Sequence, residues 1–163
     1  LTVIGTASRP ESVAWVKENG ADHIINHYEE FIPQLKQFGL ETVHYILCLN
    51  TTEKHWVSMA NTIAPQGKIC SIVESEEPLN LNDLKNKSAT FVCEFMFTRS
   101  MFQTEDMIKQ HMLLNEIANL IDHKSIKTTI NKRFSPINAE NLRKAHSLLE
   151  SGKSIGKIVL EDF

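Results

Sequence analysis

Two rhythms alternate along the chain. Short runs rich in β-branched residues are followed by stretches whose apolar positions recur at helical spacing. That alternation predicts an α/β fold: a mostly parallel sheet with helices on both faces. The strand-like runs are Thr2–Thr6, His23–Asn26, Val43–Leu49, Lys68–Val73, Thr90–Phe97, Thr128–Phe134 and Lys157–Leu160. Val43–Leu49 is a continuous apolar run, the pattern of a strand buried on both faces.

Helices are predicted over Arg9–Asn19, Glu29–Gln37, Glu53–Ile63, Thr104–Asp122 and Asn138–Ser151. Ser8 and Glu11 are spaced as a capping box for the first helix, with Pro10 in its first turn and Gly20 as its stop. Thr104 is the expected N-cap of the longest helix. Within it Leu113, Ile117, Leu120 and Ile121 fall at offsets 0, 4, 7 and 8, one face of a 3.6-residue period. Leu142, Ala145 and Leu149 share a side of the last helix, and Gly152 lies beyond its end. Pro65-Gln66-Gly67 reads as a turn, and Glu74–Asn86 as a polar loop with one helical turn. No repeat or low-complexity linker interrupts the pattern.

Composition narrows the picture only slightly. A chain of 163 residues fits one domain, or one plus part of another, burying roughly 70% of its unfolded surface. A net charge of −3 gives no sign of a nucleic-acid or membrane-surface partner. No apolar run reaches the ~18 residues of a membrane span, and no signal peptide is legible, so the cytoplasm is the expected location. Cys48, Cys70 and Cys93 are too far apart for a zinc ribbon and odd in number, so buried reduced thiols are expected. The chain opens in mid-strand at Leu1, the pattern of a piece of something longer.

Candidate chemistry concentrates where the first strand meets its helix. In a dinucleotide-binding sheet this strand end is where a carboxylate grips the ribose diol. Here it reads Ala7-Ser8-Arg9. A hydroxyl and a guanidinium at a helix N-terminus favour a phosphate instead, through charge-assisted hydrogen bonds worth roughly 1.5–3 kcal/mol each. Equally, Ser8 can simply cap the helix while Arg9 is solvated. The glycine loop that brings backbone N–H groups to a pyrophosphate is not found: Gly5, Gly20, Gly39, Gly67, Gly152 and Gly156 are scattered.

The segment "TVIGTASRPESVAWVKENGADHIINH" resembles the second strand, helix and third strand of the medium-chain dehydrogenases/reductases. The likeness is strongest to the quinone oxidoreductase-like branch labelled zinc-type alcohol dehydrogenase-like. It continues through "HWVSMANTIAPQGKICSI", "EFMFTRSMFQTEDMIKQHMLLNEIA" and "SPINAENLRKAHSLLESGKSIGKIVLE", nearly the whole chain in order. The resemblance implies a partial Rossmann domain over 1–126 and the C-terminal part of the GroES-like catalytic domain over 127–163. The catalytic domain's N-terminal part, the first, central strand and the glycine loop have no counterpart here.

Further roles follow from the resemblance alone. It implies NADP(H) as cofactor, with Ser8 and Arg9 at the adenosine 2′-phosphate and His27 beside the adenine and its phosphate. Leu49 and Asn50 would border the nicotinamide ribose, and Ile72 and Val73 would flank the nicotinamide. Phe97 and Thr98 would lie in the same cofactor-bearing region. Arg99 is left as an interface charge or a substrate contact. The edge strand near Thr90–Phe97 would pair across a homodimer. Zinc is not expected in this segment.

No catalytic residue is assigned, because no nucleophile elbow or buried carboxylate pair is legible and hydride chemistry belongs to the cofactor. Two functional readings stay open. One is the nucleotide-binding portion of an NADPH-dependent oxidoreductase acting on a small carbonyl-type substrate, such as a quinone or enone. The other is a non-catalytic Rossmann module, folded or dimeric, that holds no cofactor.

Overall fold

The computed structural model describes residues 1–163. The chain runs β1 (Ile4–Thr6), α1 (Pro10–Glu18), β2 (His23–Ile25), α2 (Phe31–Gln37), β3 (Val43–Cys48), α3 (Thr52–Thr62) and β4 (Ile63–Ser71). It continues through α4 (Asn82–Lys85), β5 (Thr90–Cys93), α5 (Thr98–Met101), α6 (Ile108–Asp122), β6 (Ile130–Phe134), α7 (Ala139–Glu150) and β7 (Lys157–Leu160). Two compact units are formed, Leu1–Met107 and Ile108–Phe163. This places α6 in the C-terminal unit.

Every strand pair is parallel, as β–α–β connections require. The strands form three sheets, β1–β2, β3–β4–β5 and β6–β7. No ladder joins β1 to β3, so each of these strands leaves one edge unpaired within the N-terminal unit.

The main core lies under the three-stranded sheet. Cys48, Trp56, Met59, Ala60, Ile63, Ile69 and Leu84 form one buried cluster, with Phe91 packed edge-on against Trp56. Trp56 satisfies its indole N–H on Asp83 Oδ2 at 3.0 Å, which fixes α4 beside α3. Lys87 Nζ donates to the carbonyls of Ala60, Asn61 and Ile63 at 2.9, 2.7 and 2.8 Å. Its ammonium thereby occupies the carbonyl-rich end of α3, where a positive charge is favourable. Burial pulls the Lys87 pKa below its ordinary value.

Several sequence expectations are corrected. Ser8 does not cap α1: Arg9 is the extended N-cap residue, no side chain bonds into the first turn, and Pro10 begins the helix. A proline in the first helical position needs no N–H partner, which moves the boundary one residue past Ser8. Gly20 does stop the helix, at φ +101°. Pro65-Gln66-Gly67 is no turn but a bulge inside β4, where register passes from Val43↔Ile63 to Tyr45↔Lys68. Gln66 takes φ +63° there and donates its N–H to Lys87 O at 2.7 Å.

Val43–Leu49 is not buried on both faces. Ile46 and Cys48 meet the core, while Tyr45 and Leu47 remain 68% and 62% exposed on the other face. Only Cys48 of the thiols is buried; Cys70 is intermediate and Cys93 exposed. The strand expected over Thr90–Phe97 ends at Cys93, and Phe95, Met96 and Phe97 turn into exposed loop and helix. Thr104 does not cap the long helix, which starts at Ile108; its hydroxyl donates to Asp106 Oδ1 at 2.8 Å instead.

In the C-terminal unit, Asn138 caps α7 by accepting from the Asn141 N–H at 2.8 Å. Of the apolar stripe on that helix only Ala145 is buried; Leu142 and Leu149 are exposed.

Candidate functional site

Most of the candidate residues follow the carboxyl ends of the parallel strands, where open α/β sheets place their ligands. Ser8 and Arg9 follow β1, His27 follows β2, Leu49 and Asn50 follow β3, and Ile72 and Val73 follow β4. Thr6 of β1 pairs with Ile25 of β2, and the Ala7 N–H extends the ladder onto Ile25 O at 3.0 Å. Ser8–Arg9 and His27 therefore leave the sheet at adjoining strand ends, all half-buried.

The rims of β3 and β4 are tied by a buried polar chain. Cys48 Sγ donates to Thr52 Oγ1 at 3.8 Å, and Thr52 Oγ1 and Ser71 Oγ are hydrogen-bonded at 2.6 Å, with either hydroxyl able to donate. Ser71 Oγ also bonds Val73 O at 3.2 Å, while the Ile72 N–H reaches Cys48 O at 3.2 Å. Both hydroxyl residues are almost fully buried, so the network holds Asn50 and Val73 on a rigid footing. The chain enters α3 through Thr51 at φ +40°, an unusual conformation for a β-branched residue and one concentrated at functional rims.

A cleft of about 470 Å³ opens between the β2–α2 connection and the first turns of α3. His27 and Tyr28 line one wall; Lys54, His55 and Ser58 line the other; Asn50 and Thr51 close the end. Two predicted residues, His27 and Asn50, are thus brought together. Their neighbours Lys54, His55 and Ser58 escaped sequence reasoning. The only signal for them is their position on the helix directly after a predicted strand end.

The His55 ring stacks near Phe31, with centroids 6.3 Å apart and planes at 25°, and meets His27 edge-on at 6.0 Å. Burial chiefly, then the His27 ring and the Lys54 ammonium, hold the His55 pKa below its ordinary value, while Glu53 acts weakly in the other direction. Glu53 Oε2 is buried with no hydrogen-bond partner.

The other predicted residues lie apart. A smaller pocket of about 230 Å³ holds Thr98 with Arg99, Thr104 and Asp106. There Arg99 Nε pairs with Asp106 Oδ2 at 3.2 Å, so its charge is matched within the chain. Ser8, Arg9, Leu49, Ile72, Val73 and Phe97 line neither cavity. A third cleft, of about 610 Å³, belongs to the C-terminal unit, between Lys132 and Phe134 of β6 and Arg143, Lys144 and Ser147 of α7. No helix is long and apolar enough to cross a membrane.

Parallel strands, helical crossovers and a polar cleft at the carboxyl ends define an open α/β domain of the Rossmann class. A zinc-binding dehydrogenase family model matches residues 19–160, and the chain belongs to that family, within the medium-chain dehydrogenases/reductases. It is 43% identical over 160 residues to a zinc-type alcohol dehydrogenase-like protein of Staphylococcus aureus strain COL, covering 98% of this chain and 47% of that protein. The corresponding Staphylococcus epidermidis protein is 38% identical over 160 residues, covering 98% and 48%.

Among solved structures, a Rhizobium etli CFN 42 protein described as a zinc-dependent alcohol dehydrogenase superposes with a TM-score of 0.91. The two are 43% identical, over 100% of this chain and 47% of that one. A mycobacterial protein solved with NADPH shares the fold, with a TM-score of 0.75 at 18% identity over 97% of this chain and 48% of that one. The chain thus spans about half the length of the relatives it matches. No three His, Cys, Asp or Glu side chains come together in a group able to hold a metal ion, so the residues present do not fit the zinc in the family's name.

Proposed function

We propose that this chain is the nucleotide-binding portion of an NADP(H)-dependent oxidoreductase that moves hydride to or from a small carbonyl-type substrate. The observation that carries the reading is the pairing of strand ends described above. A hydroxyl, a guanidinium and an imidazole, from Ser8, Arg9 and His27, emerge beside one another from β1 and β2. No carboxylate occupies Ala7, Ser8 or Arg9, the positions directly after β1, where one would repel a phosphate on the ribose. When bound, the cofactor supplies the hydride chemistry; the chain binds it, orients it and keeps water from its reacting face. Leu49, Asn50, Ile72 and Val73, seated on the Thr52–Ser71 network, take the nicotinamide end. Phe97 and Thr98 are assigned to the far margin of the same site.

On this reading residues 127–163 belong to the catalytic domain of the longer enzyme. The exposed edge of β5, with Phe95, Met96 and Phe97 beyond it, serves a homodimer contact. The cellular setting follows as cytoplasmic.

The test is titration with NADPH and NADH, followed by tryptophan fluorescence. NADPH is expected to bind at least about tenfold more tightly, and Arg9→Ala to erase that preference by removing roughly 1.5–3 kcal/mol of charge-assisted bonding. Equal affinity for the two cofactors would overturn the 2′-phosphate assignment. One observation favours a second reading, a folded module that holds no cofactor: the six glycines form no G-x-G-x-x-G loop. Flat titrations with both nucleotides would select it.

A further inference from the structure

The cleft of about 610 Å³ between β6 and α7, in the C-terminal unit, is used by none of the roles above. Two periodicities build its walls. Along β6, Lys132 and Phe134 line it at the two-residue spacing of one strand face. Along α7, Glu140, Arg143, Lys144, Ser147, Leu148 and Ser151 fall at offsets 0, 3, 4, 7, 8 and 11, one helical stripe turned to the cleft. A helical stripe that faces a strand is ordinarily apolar. This one carries two cations, and β6 adds a third at a position where the strand pattern calls for an apolar residue.

The charges of this cleft do not balance. Lys132, Arg143 and Lys144 stand against one carboxylate, Glu140, an excess of two positive charges in a chain whose net charge is −3. Glu140 is already engaged: its Oε1 accepts from Lys144 Nζ at 2.7 Å, one helical turn on, and that bond holds its carboxyl below the usual pKa. Arg133, on the opposite face of β6, is paired with Glu161. Lys132 and Arg143 have no carboxylate partner. The Lys132 ammonium instead sits 5.2 Å from the centre of the Phe134 ring. Phe134 and Leu148, both half-buried, give the cleft an apolar lining beside these two cations.

We propose that this cleft binds a phosphomonoester carried on an aromatic or other apolar body. Two uncommitted cations match the two negative charges that such a phosphate carries near neutral pH. The Arg143 guanidinium offers a planar fork for two phosphate oxygens, and Lys132 supplies a point charge. The Ser147 hydroxyl, one turn beyond Arg143, is a further donor. Phe134 and Leu148 take the apolar body, so a bare phosphate ion uses only part of the site. The proposal goes beyond the cofactor reading and does not rest on it. Every residue it uses belongs to the C-terminal unit, whereas Ser8, Arg9 and His27 belong to the N-terminal one.

The experiment is NMR titration of the full chain with phenyl phosphate at about pH 7.5, where the ester is mostly dianionic. Shifts are expected to centre on Lys132, Phe134, Arg143 and Ser147. Phenol and inorganic phosphate, each lacking half of the ligand, should bind at least about fivefold more weakly. Lys132→Ala and Arg143→Ala should each weaken phenyl phosphate roughly threefold to tenfold. Glu140→Gln removes the one opposing carboxylate and releases Lys144, so it should tighten binding roughly twofold to threefold. Raising the salt from about 0.01 M to about 0.15 M should weaken phenyl phosphate several-fold and leave phenol unchanged. Shifts centred outside the C-terminal unit, or equal binding of phenyl phosphate and phenol, would overturn the inference. Inorganic phosphate binding as tightly as phenyl phosphate would also overturn it, since Phe134 and Leu148 would then take no part. Should a variant fail to fold, the ligand and salt comparisons on the unaltered protein decide the matter alone.

Discussion

Within the N-terminal unit, two helices of similar length meet very different fates. α1 has nine residues and buries none of them; α3 has eleven and buries Thr52, Trp56, Met59, Ala60 and Thr62. Their sequence patterns do not foretell the contrast, since both alternate apolar and polar positions at helical spacing. What differs is the sheet beneath. α1 accompanies the two-stranded sheet β1–β2, whereas α3 accompanies the three-stranded sheet β3–β4–β5. Two strands offer too little apolar width to cover a helix face, and a two-stranded sheet is marginal on its own. Burial is therefore a property of the sheet's breadth rather than of the helix's own stripe. The cleft draws one wall from each region: α3 gives the anchored side and the β2 exit the lightly held one.

Trp56→Ala presses hardest on that contrast. It removes the largest side chain of the main core and strands Asp83, so a loss of about 3–5 kcal/mol is expected in urea denaturation. The matching change in the thinner region, Ile25→Ala, should cost about half as much. Equal losses would mean that the two regions share one core.

Glycines probe the same difference more gently. A Cβ on Gly67 would lie 2.7 Å from two Ile63 side-chain carbons and 2.9 Å from the Ala64 carbonyl oxygen, the last a backbone atom of the β4 bulge that cannot swing aside. A Cβ on Gly5 meets only side chains, Val16 Cγ1 at 2.3 Å and Ala21 Cβ at 3.5 Å. Gly67→Ala should cost roughly 2–3 kcal/mol and Gly5→Ala roughly 1–2, as Val16 and the lightly packed α1 give way. The reverse order would refute the idea that β1–β2 is the softer region.

The smallest expected effect is one of pH. His55 binds its proton less readily folded than unfolded. Between its folded and unfolded pKa values the unfolded chain holds more protons. The contribution of His55 is therefore fully present above the unfolded value of about 6.5 and is lost as pH falls through the lower, folded value. His55→Phe should flatten the acid side of a stability–pH curve. An unchanged slope would mean that the ring is not buried against Phe31 in solution.

The elements themselves were largely legible. Each strand and long helix announced by periodicity is present, because apolar spacing reports directly on the side that must leave water. Boundaries were less so. The Ser8–Glu11 pattern invited a capping box, but Pro10 claimed the first helical position and shifted the cap to Arg9. Pro65-Gln66-Gly67 carries turn chemistry yet sits inside β4, because a bulge uses the same positive φ that a turn does. The apolar reading of Tyr45 and Leu47 assumed a covered face, and the sheet leaves that face open. His27 and Asn50 could be placed because strand ends are visible in sequence. Lys54, His55 and Ser58 could not, since only the packing of α3 against the β2–α2 connection brings them to the same space, and no short motif encodes that meeting.

Lys87 adds a consequence for the better-packed region. One nitrogen gathers three carbonyls where α3 gives way to β4, and the Lys87 carbonyl itself accepts from the bulge at Gln66. Acylating the amine would remove the charge that ties helix, bulge and edge strand together, so this corner depends on a single ammonium as well as on the apolar side chains beside it.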